Sequence, residues 1–301
     1  MIDGALLLDK PLGLTSNAAL QKAKRLYGAA KAGHAGTLDP LASGLLLVLF
    51  GEATKFAGPL LDADKEYLAT LKLGARTSTG DAEGAILQSR EISFSKETLG
   101  AVLERFRGEI DQVPPMHSAL KHKGTPLYRL ARRGEEVERA PRRVRISELE
   151  LINFQAENLV LRVVCSKGTY IRVLAEDIGE ALGCGAHLGG LRRTASGRFR
   201  IEQAATLEML AEAGERGRRL LPLPALLEGL PRAELGEADE ARLRQGQTLK
   251  ISGLHPGLCA VVRPDGAVIG LGSADDAGLR PLRLTQTAEN HLKSAPHAKR
   301  E

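Results

Sequence analysis

Residues 33–50 read GHAGTLDPLASGLLLVLF and join a turn-rich segment directly to an apolar run. The carboxylate of this stretch, Asp39, is followed by Pro40, which favours an extended backbone at the residue before it. An aspartate among glycines and prolines commonly caps its own backbone in an Asx turn. The apolar run predicts a buried strand, and an acid fixed at its start would be held rigidly at the edge of the core. Both interpretations stay open for this stretch alone.

Strands and helices are predicted on both sides of this stretch. Before it, GALLLDK predicts a strand and AALQKAKRLYG predicts a helix that ends at Gly28. After it, residues 65–75 alternate polar and apolar side chains like a half-buried strand, and residues 95–110 predict an amphipathic helix. Two strand-like runs and a helix from about Thr169 to Gly183 follow. The mixture predicts a globular protein with both element types.

The length of 301 residues is enough for about two domains. From residue 231 the composition changes to short alternating runs separated by PDG and GS turns, which predicts a small β-rich unit. We therefore expect one domain at 1–230 and a second at 231–286. The polar residues 287–301 are expected to be a flexible tail.

The sequence gives little support for a membrane protein, a secreted protein or a metal-binding protein. No apolar run approaches the roughly 20 residues that a membrane-spanning helix needs, and the N-terminal residues lack the pattern of a signal peptide. The three cysteines are far apart, and no histidines are paired at metal-ligand spacing. We expect a cytoplasmic protein without a metal site or a disulfide.

Positive charge is concentrated in one segment of the chain. The net charge is +5, yet residues 117–145 hold nine basic and three acidic side chains, so the rest of the chain is close to neutral. Prolines and a glycine interrupt this segment, which predicts an arm that contacts the phosphates of a nucleic acid. A merely solvated charged hairpin is the alternative.

Further sequence blocks accompany the opening stretch. GHAGTLDPLASG is similar to the catalytic motif of the pseudouridine synthases. With DKPLGLTS, GEATKF, KEYLATLKLG, GDAEG, VPPMHSALKHKGTPLYRLAR, CSKGTYIRVLAEDIG and HLGGLRRTASG it covers essentially residues 1–200 in family order. The chain thus resembles the bacterial tRNA pseudouridine synthase B family, which isomerises uridine 55 in the T loop of tRNA. The resemblance implies an α+β fold, with a mixed, largely antiparallel sheet flanked by helices and a PUA-like β-barrel at 231–286.

The resemblance also assigns the chemistry to particular residues. Asp39 would be the nucleophile, attacking either the base or the ribose, and Arg172 would pair with it. Tyr67 would stack on the uracil and assist removal of the C5 proton. Two further positions, Lys10 and Asp81, would support the loops of the site. From the residues alone, a strand tyrosine such as Tyr67 fits a core position as well as a binding site.

The remaining assignments concern contacts with the RNA. His34, Tyr170 and Leu191, together with Tyr67, would hold the nucleotide that is extruded from its loop. The segment at about 114–145 resembles a thumb-like arm that closes over the T stem-loop of tRNA. Its candidate phosphate contacts are Lys121, Lys123, Arg129, Arg132, Arg133, Arg142 and Arg143.

Three functions follow from these patterns. The first is a tRNA-modifying isomerase, the second is a non-catalytic tRNA-binding or tRNA-folding protein, and the third is a synthase guided by a separate RNA. An acid, a partner arginine and two tyrosines at matching positions favour catalysis, and an intact arm favours a stand-alone enzyme. The isomerisation adds and removes nothing, so no cofactor is expected. We also expect a monomer with no obligate protein partner.

Overall fold

The structure is a computed structural model that describes residues 2–286, so the predicted tail at 287–301 lies outside the described residues. The strands are β1 (Gly4–Lys10), β2 (Ala32–Ala35), β3 (Ala42–Phe50), β4 (Lys65–Leu73), β5 (Ala75–Thr77), β6 (Ile86–Ser89), β7 (Gly108–Gln112), β8 (Lys121–His122), β9 (Thr125–Pro126), β10 (Arg142–Gln155), β11 (Asn158–Cys165), β12 (Ala186–Ser196), β13 (Phe199–Arg200), β14 (Leu220–Leu221), β15 (Arg232–Glu234), β16 (Gly257–Val262), β17 (Val268–Asp275) and β18 (Gly278–Leu284). The α-helices are α1 (Ser16–Tyr27), α2 (Ala57–Asp62), α3 (Lys96–Arg105), α4 (Leu127–Ala131), α5 (Ile171–Ala181), α6 (Leu207–Ala211), α7 (Ala213–Arg218), α8 (Leu223–Leu227) and α9 (Glu237–Arg244), with 3-10 helices at Gly51–Phe56 and Ile201–Gln203.

The main sheet has the strand order β14-β1-β3-β12-β4-β11-β10-β7, with β2 paired to β3 and β13 paired to β12. Its pairs are antiparallel except for β3 and β12, which run parallel at residues 42–44 and 191–193. The predicted α+β class and the mixed, largely antiparallel sheet are confirmed. Among residues 2–286, no helix combines the length and the apolarity needed to cross a membrane.

Strand β3 is apolar without alternation because both of its faces are buried. Leu45, Leu47 and Leu49 pack into one core cluster, whereas Leu46 and Val48 pack into another with helix α1. A third cluster lies between helices α3 and α5 and the strands from β12 to β10. A strand covered on both faces loses the alternation of a half-solvated strand.

The structure differs from the sequence-based expectation in three places. The helix expected over 95–110 ends at Arg105, because Gly108 has φ of +85° and opens strand β7. The basic, glycine-rich run AHLGGLRRTAS has no clear strand pattern, yet it forms the central strand β12. Arg142 and Arg143 belong to strand β10 rather than to the arm.

The β-rich unit predicted after residue 231 is a four-stranded sheet in the order β15-β16-β17-β18. It is not separated from the rest of the molecule, since Ala260 and Leu271 share a core cluster with Leu47. Lys55 also donates from Nζ to the carbonyl oxygen of Leu284 at 2.9 Å. The two sheets are therefore joined by apolar packing and by hydrogen bonds.

Candidate active site

A cavity of about 680 Å³ opens beside the loop that precedes strand β3. Five residues that the sequence marked as site candidates line it together: Asp39, Tyr67, Tyr170, Arg172 and Leu191. A second cavity of about 570 Å³ adjoins it, and Asp39 and Arg172 line both. The carboxylate of Asp39, whose side chain is 48% exposed, can therefore be reached from either cavity.

The loop that carries Asp39 is tied to the start of helix α1. The buried hydroxyl of Ser16 donates to the carbonyl oxygen of Leu38 at 2.9 Å and accepts from its backbone N–H at 2.7 Å. The backbone N–H of Gly13 donates to the carbonyl oxygen of Pro40 at 2.9 Å. Both contacts flank Asp39 directly, so its backbone is held from both sides.

Arg172 meets Asp39 from the first turn of helix α5. Its Nη2 lies 3.1 Å from Oδ2 of Asp39 and donates to the carbonyl oxygen of His117 at 2.7 Å. Its Nη1 donates to the carbonyl oxygen of Thr79 at 3.2 Å. A cation at a helix N-terminus is disfavoured by the helix dipole, so these acceptors compensate for the position as well as orienting the guanidinium.

Asp81 is buried on the other side of the same guanidinium, with its Oδ2 3.7 Å from Nη1 of Arg172. Its Oδ1 accepts a hydrogen bond from Oγ1 of Thr79 at 2.5 Å and one from the backbone N–H of Glu83 at 3.1 Å. Asp81 thus closes its own loop and faces Arg172.

Two tyrosines and a leucine form the walls of the first cavity. Tyr67 is half-buried on strand β4, and burial raises the pKa of its phenol while Arg193 acts in the opposite direction. Tyr170 precedes helix α5, where its backbone N–H donates to Oε1 of the buried Gln112 at 3.0 Å. Leu191 lies on strand β12, two residues before Arg193 and on the same face.

His34 lies on strand β2 and lines the second cavity rather than the first. Burial and, to a smaller extent, the charge of Arg193 lower the pKa of its imidazole. Its Nδ1 is buried and has no hydrogen-bond partner among residues 2–286. His34 thus shares the second cavity with Tyr128 and Arg132 of the arm.

The basic residues of the arm divide into two groups. Lys121 and Lys123 lie in the hairpin of β8 and β9, and Arg129, Arg132 and Arg133 lie on or just after helix α4. The guanidinium of Arg132 lies 5.5 Å from the ring centroid of Tyr128, and both side chains line the second cavity.

The other group lies in the main sheet, where Arg143 forms ion pairs with Asp111 at 3.2 Å and with Glu109 at 3.4 Å. The Arg143 charge is thus partly compensated within the protein. Arg142, its neighbour on β10, is exposed and pairs in register with Gln112.

Two buried lysines lie beneath the site. Lys10 donates from Nζ to the carbonyl oxygens of Pro11 at 2.9 Å and of Leu14 at 2.6 Å, and burial lowers its pKa to about 8. Lys65 donates to carbonyl oxygens at the end of helix α2, and burial lowers its pKa to about 8 as well. Both hold loops around the cavity.

Sequence reasoning missed Ser16, Gln112 and Arg193. The signal for Arg193 is the period of two in strand β12, which puts Leu191 and Arg193 on one face and Arg192 on the other. No comparable local signal marks Ser16 or Gln112, because their partners are distant in the chain. Within residues 2–286, no three His, Cys, Asp or Glu side chains are grouped so as to hold a metal ion.

Two family models match the chain in succession. The first, described as TruB family pseudouridylate synthase (N terminal domain), matches residues 24–171. The second, described as tRNA pseudouridylate synthase B C-terminal domain, matches residues 172–228. Together they contain Asp39, Tyr67, Arg172 and Leu191.

Curated relatives are similar over nearly their whole length. A protein named tRNA pseudouridine synthase B from Dechloromonas aromatica (strain RCB) is 54% identical over 293 residues, covering 96% of this chain and 97% of its own. A protein of the same name from Burkholderia mallei (strain NCTC 10247) is 53% identical over 295 residues, covering 95% and 98%.

Solved structures show the same fold at lower identity. The chain resembles one from a crystal structure of a Cbf5-Nop10-Gar1 complex, with a TM-score of 0.71, 30% identity, and coverage of 90% of this chain and 78% of the other. A chain from an H/ACA RNP bound to a substrate RNA containing 2′-deoxyuridine gives a TM-score of 0.73 at 26% identity, covering 94% and 85%.

Proposed function

The chain belongs to the TruB family of pseudouridylate synthases, and from this premise we propose that it isomerises uridine 55 in the T loop of tRNA to pseudouridine. The observation that carries the proposal is the pairing of Asp39 with Arg172 at 3.1 Å inside a cavity walled by Tyr67, Tyr170 and Leu191. A carboxylate beside an apolar and aromatic chamber is what attack on an extruded base requires.

Asp39 acts as the nucleophile in the proposed reaction. The bond between N1 of uracil and C1′ of the ribose breaks, and its electron pair stays with the base. The carboxylate oxygen of Asp39, which has bonded to the ribose or to the base, leaves as the base rotates and C5 bonds to C1′. The C5 proton is then removed, and N1 takes up a proton. Arg172 holds the carboxylate in place, whether the carboxylate attacks the base or the ribose.

The nucleotide is held by the walls of the first cavity. Tyr67 stacks on the uracil and assists removal of the C5 proton, whereas Tyr170 and Leu191 enclose the rest of the nucleotide. His34 contacts the substrate from the second cavity and helps to keep the nucleotide outside its loop. These assignments are supported by the position of each side chain around Asp39.

The arm supplies affinity for the RNA backbone. Its exposed basic side chains neutralise phosphates of the T stem-loop, which makes binding depend on salt, whereas the folded shape of the loop provides selectivity. The primary phosphate contacts are Lys121, Lys123, Arg129, Arg132 and Arg133. Arg142 and Arg143 contribute from strand β10, outside the arm, and Arg143 contributes less because Asp111 and Glu109 already pair with it.

The remaining parts of the chain complete this assignment. Residues 1–230 form the catalytic domain, and 231–286 form a PUA-like module that gives a second contact with RNA. The protein acts as a monomer in the cytoplasm, without a guide RNA or an obligate protein partner. The intact basic arm supports a stand-alone enzyme, and the relatives at 53–54% identity are named tRNA pseudouridine synthase B.

Tritium release tests the proposal. A tRNA transcript labelled at C5 of its uridines is incubated with the protein, and a matched transcript carries cytidine at position 55. We expect one tritium per molecule to be released from the first transcript, because C5 loses its proton only where the new bond forms. Equal release from both transcripts would rule out position 55, and no release from either would rule out the activity.

A further inference from the structure

Arg193 occupies the middle of the main sheet directly beneath the catalytic loop. Its side chain is 1% exposed, and it is among the largest fully buried side chains of the described residues. On strand β12 it pairs in register with Gly44 of β3 on one side and with Tyr67 of β4 on the other. A Cβ at Gly44 would lie 2.3 Å from the Arg193 carbonyl oxygen, so only a glycine allows this approach.

The guanidinium of Arg193 is bound by backbone carbonyls. Its Nε donates to the carbonyl oxygen of Leu45 at 2.7 Å. Its Nη2 donates to the carbonyl oxygen of Gly36 at 3.1 Å, and its Nη1 to that of Thr37 at 3.4 Å. Gly36 and Thr37 precede Asp39 by only two or three residues, so the catalytic loop rests on this side chain.

The charge of Arg193 has no acidic partner. Among residues 2–286 it forms no ion pair with Asp or Glu, whereas its neighbour Arg192 pairs with Asp9 at 2.7 Å. Isolated buried charges are costly to keep, so an unpaired guanidinium at this position needs a reason beyond packing. The charge of Arg193 acts on two groups of the site. It contributes to the lowered pKa of Lys65, and it opposes the burial that raises the pKa of Tyr67.

We propose that Arg193 is a positioning residue for the isomerisation, which holds the loop before Asp39 and places its charge beside the phenol of Tyr67, its cross-strand neighbour at the cavity. The inference rests on the proposed function. The phenolate oxygen takes the C5 proton, the electron pair of the C5–H bond returns to the uracil ring, and N1 takes a proton from water. A fixed positive charge beside the phenol stabilises the oxyanion that acts as the base in this transfer.

Two substitutions separate the charge of Arg193 from its geometry. Arg193→Met removes the charge, and Arg193→Lys keeps the charge but loses the fork that reaches both Gly36 and Thr37. Arg192→Met is the matched control, because it lies next to Arg193 on the opposite face. Folding of each variant is checked by circular dichroism and thermal melting.

The first readout consists of two quantities for each variant: the single-turnover rate of tritium release and the Kd for tRNA. We expect Arg193→Met to slow the rate by roughly 100-fold or more while the Kd changes by less than about threefold, because the contact acts on chemistry rather than on binding. Arg193→Lys should be intermediate in rate, and Arg192→Met should match the parent protein. A parental rate in Arg193→Met would overturn the proposal, and if that variant does not fold, a parental rate in Arg193→Lys would do so.

The second readout is the titration of Tyr67, which a purely structural role would leave unchanged. The protein is labelled with 3-fluorotyrosine, and the fluorine resonance of residue 67 is assigned with Tyr67→Phe. We expect its titration midpoint to rise in Arg193→Met and to stay close to the parent value in Arg193→Lys. An unmoved midpoint in folded Arg193→Met would overturn the proposal. An inactive parent protein would instead contradict the proposed function, so the two failures are distinguishable.

Discussion

Asp39 and Arg172 are distant in the chain, yet their charged groups lie 3.1 Å apart. Ser16 and Pro40 hold the backbone around the acid, and the carbonyls of Thr79 and His117 hold the guanidinium. Each partner of the pair is therefore positioned by contacts of its own. At the scale of single residues, the site is a preformed constellation rather than one that a substrate must assemble.

Replacing Asp39 by asparagine separates catalysis from binding. Asp39→Asn keeps the size of the side chain and removes its negative charge, so we expect tRNA affinity to stay within about threefold while tritium release falls below detection. Filter binding and single-turnover tritium release measure the two quantities. Glu83→Gln, which changes another acid at the rim of the second cavity, is the control and should keep its activity. Normal turnover in Asp39→Asn would remove Asp39 from the mechanism.

The buried Lys10 makes stability depend on pH. Its pKa is about 8 in the folded protein and 10.5 in an unfolded reference, so the unfolded chain holds more protons between these values. The free energy of unfolding of the parent should therefore rise with pH relative to that of Lys10→Met, by up to about 1.4 kcal/mol per pH unit between pH 8 and 10.5.

Urea denaturation at pH 7.5, 8.5 and 9.5 measures this dependence on Lys10. Lys72→Met, which removes a half-exposed lysine of strand β4, is the control. A difference between the parent and Lys10→Met that stays constant across the three pH values would contradict the prediction.

At the scale of elements, the strands that the sequence predicts are those with a clear hydrophobic pattern. The buried run of β3 and the alternation of β4 were read correctly from the sequence, as was helix α1 up to its left-handed C-cap at Gly28. The sequence of strand β12 does not indicate a strand, because glycines and arginines at its centre interrupt the alternation of polar and apolar side chains. Arg192 and Arg193 can lie in a central strand only because Asp9 and backbone carbonyl oxygens accept hydrogen bonds from their guanidinium groups.

The arm is expected to set the salt dependence of tRNA binding. Reversing the charge of Lys121, Lys123 and Arg132 to glutamate should weaken binding and reduce the slope of log affinity against log salt by roughly 2, since each lost phosphate contact contributes about 0.7–0.9. Arg143 is left unchanged because its ion pairs with Asp111 and Glu109 would be lost as well.

A double reversal on helix α3, Lys96→Glu with Arg105→Glu, is the control for positive charge lost elsewhere, because this helix lines neither of the two cavities. It changes the net charge by −4, against −6 in the arm variant. Binding is measured at several salt concentrations for each variant. If the arm variant and the α3 variant change the slope of log affinity against log salt by the same amount, the arm is not the phosphate contact.

At the scale of the whole molecule, the second sheet packs directly against the main sheet. Leu271 is 2% exposed and packs into the cluster that contains Leu47 and Phe56. Hydrogen bonds from Lys55 to Leu284 and from the backbone of Gln286 to Glu52 cross the same boundary. We expect the two sheets to unfold in one transition.

Leu271→Ala tests this coupling, because all four tyrosines precede residue 231 and their fluorescence reports on the catalytic part alone. Truncating a buried leucine costs about 2–5 kcal/mol, so the midpoint of urea unfolding seen by tyrosine fluorescence should fall clearly. Leu282→Ala, at a leucine that is 45% exposed, should leave it nearly unchanged. A tyrosine-detected midpoint that is equal in Leu271→Ala and the parent would mean that the sheets unfold independently.

Local sequence was enough to predict most strands and helices, the loop that presents Asp39 and the concentration of positive charge in the arm, because each depends on residues that are close together in the chain. Only the tertiary structure decided that β12 lies parallel to β3, that Arg172 reaches Asp39, and that Arg193 lies buried between Gly44 and Tyr67. These contacts join residues far apart in the chain. Local periodicity constrains which face a side chain takes, but only the packing of the whole sheet selects which strands become neighbours.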